Sequence, residues 1–436
     1  MTIDVLSPVR SGLRWGLGHG LPGLAIRQGA RGGDLVSRLV VDPDLRQDPF
    51  PAYERIRADA AARGSVFIDN GRLMGTVDHA AATEILRSDD FGVAFELPGR
   101  LQRAFAWSLD PWAAGPVDPP SMLAVDPPVH GRYRRLVTRW FTAREVRGLE
   151  ERITETATRL LDGLAAQGSR VDLVEEYAAL LPVAIIAEIL GVPAHQHAQL
   201  LAWGNGAAIT LDPALTWRQY RGAQQHVRAL HRWLDDHLAA KRRSPGDDLL
   251  SALATLEDDD LTDLELRGIG LLVLGAGFET TVNLIGNAVA QVQSRPEVRA
   301  AVRDDPGLWG GVVEETLRFD SPVQLTFRSA LTDTVVAGSP VRRGTGVLTY
   351  LGGANRDPAV FADPARFDPT RDDAGRHLAF SSGVHYCLGA SLARAEATIG
   401  LRLLHERFPD LRLDGEPTRR PTRVLRGYER MPVALR

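Results

Sequence analysis

The chain contains a single cysteine, Cys387, and the residues around it indicate a metal ligand. An apolar helical pattern begins directly after it, so we expect Cys387 at or just before a helix N-terminus, where backbone N–H groups and the helix dipole favour a thiolate. Gly383 and Gly389 allow the backbone to approach a flat, bulky group, and His385 can reach a nearby anion. Such a thiolate suits an iron porphyrin, whereas a single cysteine elsewhere is usually a small buried hydrophobic residue.

A second stretch whose residues could take part in chemistry lies in a long apolar run, Leu264 to Ser294. This run begins at a capping box at residues 262–265. The run predicts a buried helix about 45 Å long. The Thr280 hydroxyl can bond the carbonyl of Ala276, which loosens the helix and leaves a polar notch. Glu279 and Thr280 are then able to hold water and relay protons. The alternative is ordinary helix packing around a buried carboxylate, which needs a partner.

Charged residues at helical and strand spacing form a third group of candidates. His130 and Arg134 are separated by one helical turn and share a face. A buried carboxylate needs such donors, although by spacing alone the pair is typical of a solvated helix face. Strand alternation from Val323 to Arg328 places the arginine on the same face as the residues two and four positions earlier. Glu315 and Arg318 also share a helix face, and by spacing alone they are an ordinary ion pair.

Composition excludes several classes of protein. The 436 residues carry a formal net charge of −4, which argues against a general nucleic-acid binder. One cysteine excludes a disulfide framework. The least polar N-terminal part, Trp15 to Ile26, is too short to cross a bilayer, so we expect no membrane span. Because no Ser/Gly linker or charge block divides the chain, we expect one large domain.

The remaining pattern predicts helices with a few short strands. Asn70-Gly71 between two apolar runs is a strong hairpin signal. Prolines and scattered aromatic residues from Phe91 to Val125 predict a long irregular loop that is either functional or packed on the core. Four helical runs follow between Glu145 and Arg243. Histidines at 226, 231 and 237 are interpreted as solvent-facing, because no carboxylate-rich ligand set surrounds them.

The stretch from Phe380 to Gly389 resembles the haem-binding signature of the cytochrome P-450 family, Phe-x-x-Gly-x-x-x-Cys-x-Gly. One departure is Ser381, where many relatives carry glycine. The segments Ala276–Thr281 and Glu315-x-x-Arg318 resemble two further family motifs. The resemblance implies a mainly α fold with small β-sheets (α+β) and a long central helix over the haem. It also implies one domain over residues 1–436, in which residues 1–41 are an N-terminal extension.

The resemblance also implies roles for individual residues. Cys387 is the metal ligand, Glu279 and Thr280 are catalytic, and Glu315 and Arg318 are a structural pair. The residues implied to contact the cofactor are His130, Arg134, Arg328, His385, Cys387, Phe380, Gly389 and Ala276. The candidate substrate pocket is apolar, which indicates a lipophilic ligand, and contains Phe95, Leu97, Phe105, Trp107, Leu272, Val323 and Leu325.

A cytoplasmic haem-thiolate monooxygenase is the function implied by this resemblance. It would bind haem b and hydroxylate or epoxidise a lipophilic molecule with O₂. Two electrons would come from an external ferredoxin and ferredoxin reductase. Three alternatives remain on the same fold: a peroxygenase driven by H₂O₂, a non-catalytic haem sensor, and an isomerase or dehydratase that needs no external electrons.

Overall fold

The computed structural model describes residues 7–71, 73–94, 99–256 and 261–436. Within these residues the helices are α1 (Ser7–Trp15), α2 (Leu21–Arg31), α3 (Leu35–Val41), α4 (Pro43–Gln47), α5 (Phe50–Ala62), α6 (His79–Arg87), α7 (Gly99–Trp107), α8 (Val129–Thr138), α9 (Ala143–Gln167), α10 (Leu180–Ile189), α11 (His197–Ala208), α12 (Trp217–Arg243), α13 (Leu249–Ala254), α14 (Asp263–Gln293), α15 (Pro296–Asp304), α16 (Trp309–Phe319), α17 (Leu351–Ala354) and α18 (Ala390–Arg407).

The strands are short and belong to four small sheets. They are β1 (Ile68–Asp69), β2 (Leu73–Thr76), β3 (Phe91–Gly92), β4 (Arg170–Asp172), β5 (Thr326–Ala330), β6 (Thr334–Val336), β7 (Ser339–Val341), β8 (Gly346–Thr349), β9 (Arg412–Leu413), β10 (Thr418–Arg419), β11 (Tyr428–Arg430) and β12 (Pro432–Ala434). The largest sheet has the order β1-β2-β8-β5-β3, and the others are β4-β12-β9, β10-β11 and β6-β7. The predicted mainly α architecture with small sheets is confirmed.

Helix α14 is the buried central element that the apolar run predicts. Thr262 and Glu265 form both hydrogen bonds of the capping box, because Glu265 N–H donates to the Thr262 hydroxyl (3.3 Å) and Thr262 N–H donates to Glu265 Oε2 (2.8 Å). Within the described residues α14 is the helix with the length and hydropathy of a membrane span, yet 78% of that window is buried in the protein. It packs against α10, α11, α12, α16 and α18, so its apolar faces are used in the core.

The hairpin prediction is confirmed, because β1 and β2 pair antiparallel with Ile68 opposite Gly75. The prediction of an irregular loop over Phe91–Val125 is wrong in part, because the segment contains β3 and α7. None of the described side chains of α7 is fully buried. The interpretation of His231 as solvent-facing is also wrong: it is fully buried, with Nε2 2.8 Å from the carbonyl oxygen of Ala114.

Helix α1 connects two segments that are far apart in the chain. The Arg14 guanidinium lies 4.2 Å from the centre of the Phe105 ring on α7 and forms an ion pair with Asp118. The indole Nε1 of Trp15 donates a hydrogen bond of 2.9 Å to the carbonyl oxygen of Leu215, directly before α12. The N-terminal helices therefore hold both the α7 region and the α11–α12 connection.

Glu315 and Arg318 form a fully buried pair on α16, with Arg318 Nη2 2.6 Å from Glu315 Oε1. Both side chains are inaccessible to solvent, so contacts with their partners must replace the lost hydration of each charge. Arg318 also donates to the carbonyl oxygens of three residues on the segment that leads to Cys387: Asn355, Pro364 and Arg366. The pair thereby fixes the approach to the cysteine loop.

Replacing Arg318 by Leu leaves Glu315 buried with a weaker partner, and we expect a loss of roughly 3–5 kcal/mol in the free energy of unfolding. The control is Arg402→Leu, which removes an exposed pair with Glu406 and should cost less than about 1 kcal/mol. Urea titration followed by circular dichroism measures both values. A similar small loss in the two variants would contradict the structural role of Arg318.

Candidate active site

Cys387 lies three residues before the first residue of α18, as the sequence predicts. Its N–H donates to the carbonyl oxygen of Phe380 at 2.9 Å, which closes the loop between them. Burial raises the pKa of the Cys387 thiol, while a backbone hydrogen bond from Gly389 and the charges of Arg134 and Arg394 act in the opposite direction. The helix terminus alone thus does not secure a thiolate. A metal ion that coordinates the sulfur would deprotonate it.

The two glycines around the cysteine have different tasks. A Cβ on Gly383, where φ is +68°, would lie 2.2 Å from the carbonyl oxygen of Leu86, so this glycine is needed for packing on α6. A Cβ on Gly389 would meet no atom within 4 Å. Only Gly389 therefore keeps the role expected of both glycines, which was clearance for a bulky group.

The face of α14 around Thr280 borders open space. The Thr280 hydroxyl donates to the carbonyl oxygen of Ala276 at 3.1 Å, as predicted. Ala276 is exposed although most of the helix is buried, and a Cβ on Gly275 would meet no atom within 4 Å. Leu272 is half-buried one turn before Ala276 and shares this face. The notch therefore faces a volume that a cofactor or ligand can enter.

Glu279 has a partner that the sequence analysis missed. Its side chain is 3% exposed, and Oε1 lies 2.7 Å from Nη1 of Arg420, in the segment after β10. Within the described residues Oε2 has no hydrogen-bond partner. Burial raises the pKa of the Glu279 carboxyl, and the Arg420 charge opposes this shift. No local pattern marks Arg420, because the pairing joins segments at distant positions in the sequence.

Four nitrogen-bearing side chains converge beside the cysteine loop. The rings of His130 and His385 are 4.3 Å apart between centroids. Burial, together with the charges of Arg328, His130 and Arg134, lowers the pKa of His385 to about 3. Burial also lowers the pKa of Arg328 to about 10, and Asp126 partly offsets that effect. The cluster brings together the four residues that the sequence analysis assigned to one anionic partner.

This cluster has unused donor capacity within the described part of the chain. Arg328 Nη1 donates only to its own strand, to Thr326 Oγ1 (3.1 Å) and the Phe327 carbonyl oxygen (2.8 Å). Nε2 of His385 is buried without a hydrogen-bond partner. The two propionate groups of a haem supply the negative charges that such donors require. With Cys387 close by in sequence and the open face on α14, the residues present fit a haem.

The residues predicted to line the substrate pocket lie in different parts of the structure. Phe95 and Leu97 lie outside the described residues. Trp107 is 46% exposed and stacks on Arg10, and Phe105 packs beneath Arg14, so both contact α1. The remaining three members are Leu272 on the open face of α14, Val323, which bridges to Leu425, and Leu325, which packs near Tyr350.

Comparison with known proteins agrees with the assignment of a haem site. The sequence model of the cytochrome P-450 family matches residues 309–423. A Mycobacterium tuberculosis protein assigned to cytochrome P-450 140 is 47% identical over 97% of this chain and 97% of its own length. The vitamin D(3) 25-hydroxylase of Pseudonocardia autotrophica is 39% identical, over 89% of this chain and 94% of the relative.

A solved structure shows the same fold. A myxobacterial cytochrome P-450 in complex with myristic acid superposes with a TM-score of 0.81 and 34% identity, covering 92% of this chain and 99% of the other. The fold and the cysteine site define a haem-dependent monooxygenase. The chain belongs to the cytochrome P-450 family.

Ser381 occupies a strained position in the cysteine loop. Its φ is +60°, in the left-handed region that favours glycine, and its hydroxyl is buried without a partner within the described residues. We expect Ser381→Gly to raise the free energy of unfolding by about 1 kcal/mol, since the αL penalty and an unpaired hydroxyl disappear together. Ser381→Ala removes only the hydroxyl and should give a smaller gain. Thermal unfolding of the two variants measures both effects, and a lower melting temperature for Ser381→Gly would contradict the strain.

Proposed function

We propose that this cytochrome P-450 binds haem b, with Cys387 as the residue that would hold the iron, and hydroxylates or epoxidises a lipophilic small molecule. The observation that supports it best is the cluster of His130, His385, Arg134 and Arg328 beside the cysteine loop. Within the described residues His385 Nε2 has no hydrogen-bond partner, and Arg328 Nη1 donates only to its own strand. We assign these four residues to the haem propionates. Phe380, Gly389 and Ala276 would contact the porphyrin.

When bound, the haem supplies the activation of O₂ and the oxidising power, so the protein has to orient, exclude water and deliver protons. Thr280 holds a hydroxyl on the open face of α14, and Glu279 holds a carboxyl one residue earlier. Since Oε2 of Glu279 is without a partner within the described residues, it is the atom from which a proton can pass to water near Thr280. Arg420 keeps Oε1 in place and thereby orients the carboxyl.

Electrons would be supplied by an external ferredoxin, reduced by its reductase. Val384 and Tyr386, on either side of His385, are 47% and 41% exposed, so the cysteine loop is accessible to a docked partner. Arg87, whose Nε donates to Ser382 Oγ at 2.8 Å, lies next to this loop and would favour an acidic partner. We further propose that residues 1–436 form one domain with an N-terminal extension at 1–41, and that the enzyme is soluble and cytoplasmic.

A lipophilic substrate is supported by the apolar residues near the notch and by one relative's ligand. Leu272 borders the open face of α14, and the myxobacterial relative holds myristic acid. Retention of both Glu279 and Thr280 favours a monooxygenase over a peroxygenase or a haem sensor. Equal turnover with H₂O₂ alone would reverse this choice.

Substitution of Cys387 by Ala tests the axial ligand. The reduced wild-type protein with carbon monoxide should show the absorption band typical of thiolate ligation, and Cys387→Ala should lack it, since no other thiolate exists in the chain. Ser391→Ala, in the first turn of α18, serves as the matched control and should keep the band. Persistence of the band in Cys387→Ala would show that the assignment is wrong.

Thr280→Val removes the hydroxyl and preserves the shape of the side chain. We expect it to divert reducing equivalents, so that product formed per O₂ consumed falls about tenfold or more and released hydrogen peroxide rises. Thr280→Ser retains the hydroxyl and should stay coupled. The measurement is parallel determination of O₂ consumption and peroxide release; equal coupling in the two variants would exclude the hydroxyl from proton delivery.

A further inference from the structure

Glu314, next to Glu315 on α16, contacts the chain on both sides of the cysteine loop. Its carboxylate oxygens accept two hydrogen bonds from Arg394 in the second turn of α18, from Nε at 2.5 Å and from Nη2 at 3.0 Å. Nε2 of His377, in the segment that precedes the loop, lies 3.4 Å from Oε2. A single carboxylate therefore joins the element before Cys387 to the helix after it.

The carboxyl of Glu314 and the guanidinium of Arg394 are both charged at neutral pH. Burial raises the pKa of Glu314, but hydrogen bonds with His377 and Arg394 outweigh burial and lower the pKa to about 2. Burial lowers the pKa of Arg394, but hydrogen bonds to Glu314 and Tyr386 outweigh it, so this pKa lies above its ordinary value. The pair is therefore a permanent anion beside a permanent cation.

Arg394 also contacts the cysteine loop itself. Its guanidinium lies 4.6 Å from the centre of the Phe380 ring and is hydrogen-bonded to the side chain of Tyr386. The carbonyl oxygen of Phe380 in turn accepts the N–H of Cys387 at 2.9 Å, and Tyr386 directly precedes the cysteine. Burial raises the pKa of the Cys387 thiol, and Arg394 is one of two cations, with Arg134, whose charge favours the thiolate.

The ion pair between Glu314 and Arg394 contributes little to the adhesion of α16 and α18. Its side chains are 25% and 33% exposed, and ion pairs in contact with solvent contribute at most about 1 kcal/mol. The two helices pack through apolar residues of one core, which include Val313, Leu317 and Leu392. A fixed charge beside a metal ligand, in contrast, acts over several ångströms in a medium of low dielectric constant.

We propose that Glu314 positions Arg394 so that the guanidinium charge draws electron density from the Cys387 sulfur and thereby sets the reduction potential of the bound iron. The two residues act in opposite senses: a nearby cation favours the reduced state, which carries one more electron, and a nearby anion favours the oxidised state. Both are positioning residues, because they act through the cysteine. The inference rests on the proposed haem ligation.

Spectroelectrochemical titration of the haem-loaded, full-length protein measures the reduction potential. Arg394→Met removes the positive charge, so the equilibrium constant for one-electron reduction should fall roughly three- to tenfold, or by up to about 59 mV. Glu314→Gln keeps the shape of the side chain and removes the negative charge, so the constant should rise by roughly the same factor. Arg394→Lys keeps the charge and should stay closer to the wild type. The variants are compared at equal spin state, read from the absorption spectrum.

Opposite signs distinguish this role from a purely structural one, because either substitution breaks the same ion pair. A pair that only stabilised the loop would shift the potential in one direction in both variants, and that result would overturn the proposal. Potentials indistinguishable from the wild type would overturn it as well.

The matched control is a second ion pair on the same helix, Arg402 and Glu406, whose Nη1 and Oε1 atoms are 2.9 Å apart. It lies about four helical turns beyond Cys387 and is exposed to solvent. Arg402→Met and Glu406→Gln should therefore each leave the equilibrium constant within about twofold of the wild type. Shifts as large as those of Arg394→Met and Glu314→Gln would show that the effect is not specific to the pair beside the cysteine.

The absorption band of the reduced protein with carbon monoxide separates this proposal from the haem ligation. Every variant retains Cys387 and should retain the band. If the wild type lacked it, the ligation would be wrong, and the role of Arg394 with it. If all proteins showed the band but the potentials did not move in opposite directions, the ligation would stand and the role of Glu314 and Arg394 would be refuted.

Discussion

The side chain of Arg318 has no contact with solvent, and all five of its N–H donors are used. Two bonds go to Glu315 and three to carbonyl oxygens of the segment that precedes the cysteine loop. Because leaving a donor of a buried guanidinium unpaired costs free energy, these bonds favour a single register of this segment against α16. The position of Cys387 relative to the core is therefore set by a residue far outside the site.

In the C-terminal segment, buried charges that are paired within the protein stabilise the fold. Asp320 and Glu279 neutralise three arginines and attach this segment to α16 and α14. At His385, near the cysteine, a buried ring nitrogen has no hydrogen-bond partner within the described residues. A folded protein keeps such groups at a cost, and an external anion is the simplest compensation.

Local signals in the sequence predicted the elements whose formation depends on nearby residues. The capping box, the hairpin at Asn70-Gly71 and the bond from Thr280 to Ala276 are all short-range and were predicted correctly. The pairing of Glu279 with Arg420 joins distant segments, and nothing local marks it. Helix α7 was not predicted, because the prolines and scattered aromatic residues of the stretch around it indicated an irregular loop. The burial of His231 was missed because it depends on the distant segment around Ala114.

The contacts of α1 have a further consequence for motion. Arg14 is bound to Asp118 and the α7 side, while Trp15 is bound to Leu215 before α12. One short helix therefore bridges two surface elements, and displacement of either breaks contacts shared with the other. Their fluctuations are thermodynamically coupled: once α1 has detached, the cost of releasing it is already met for both, so opening of this side of the molecule is cooperative.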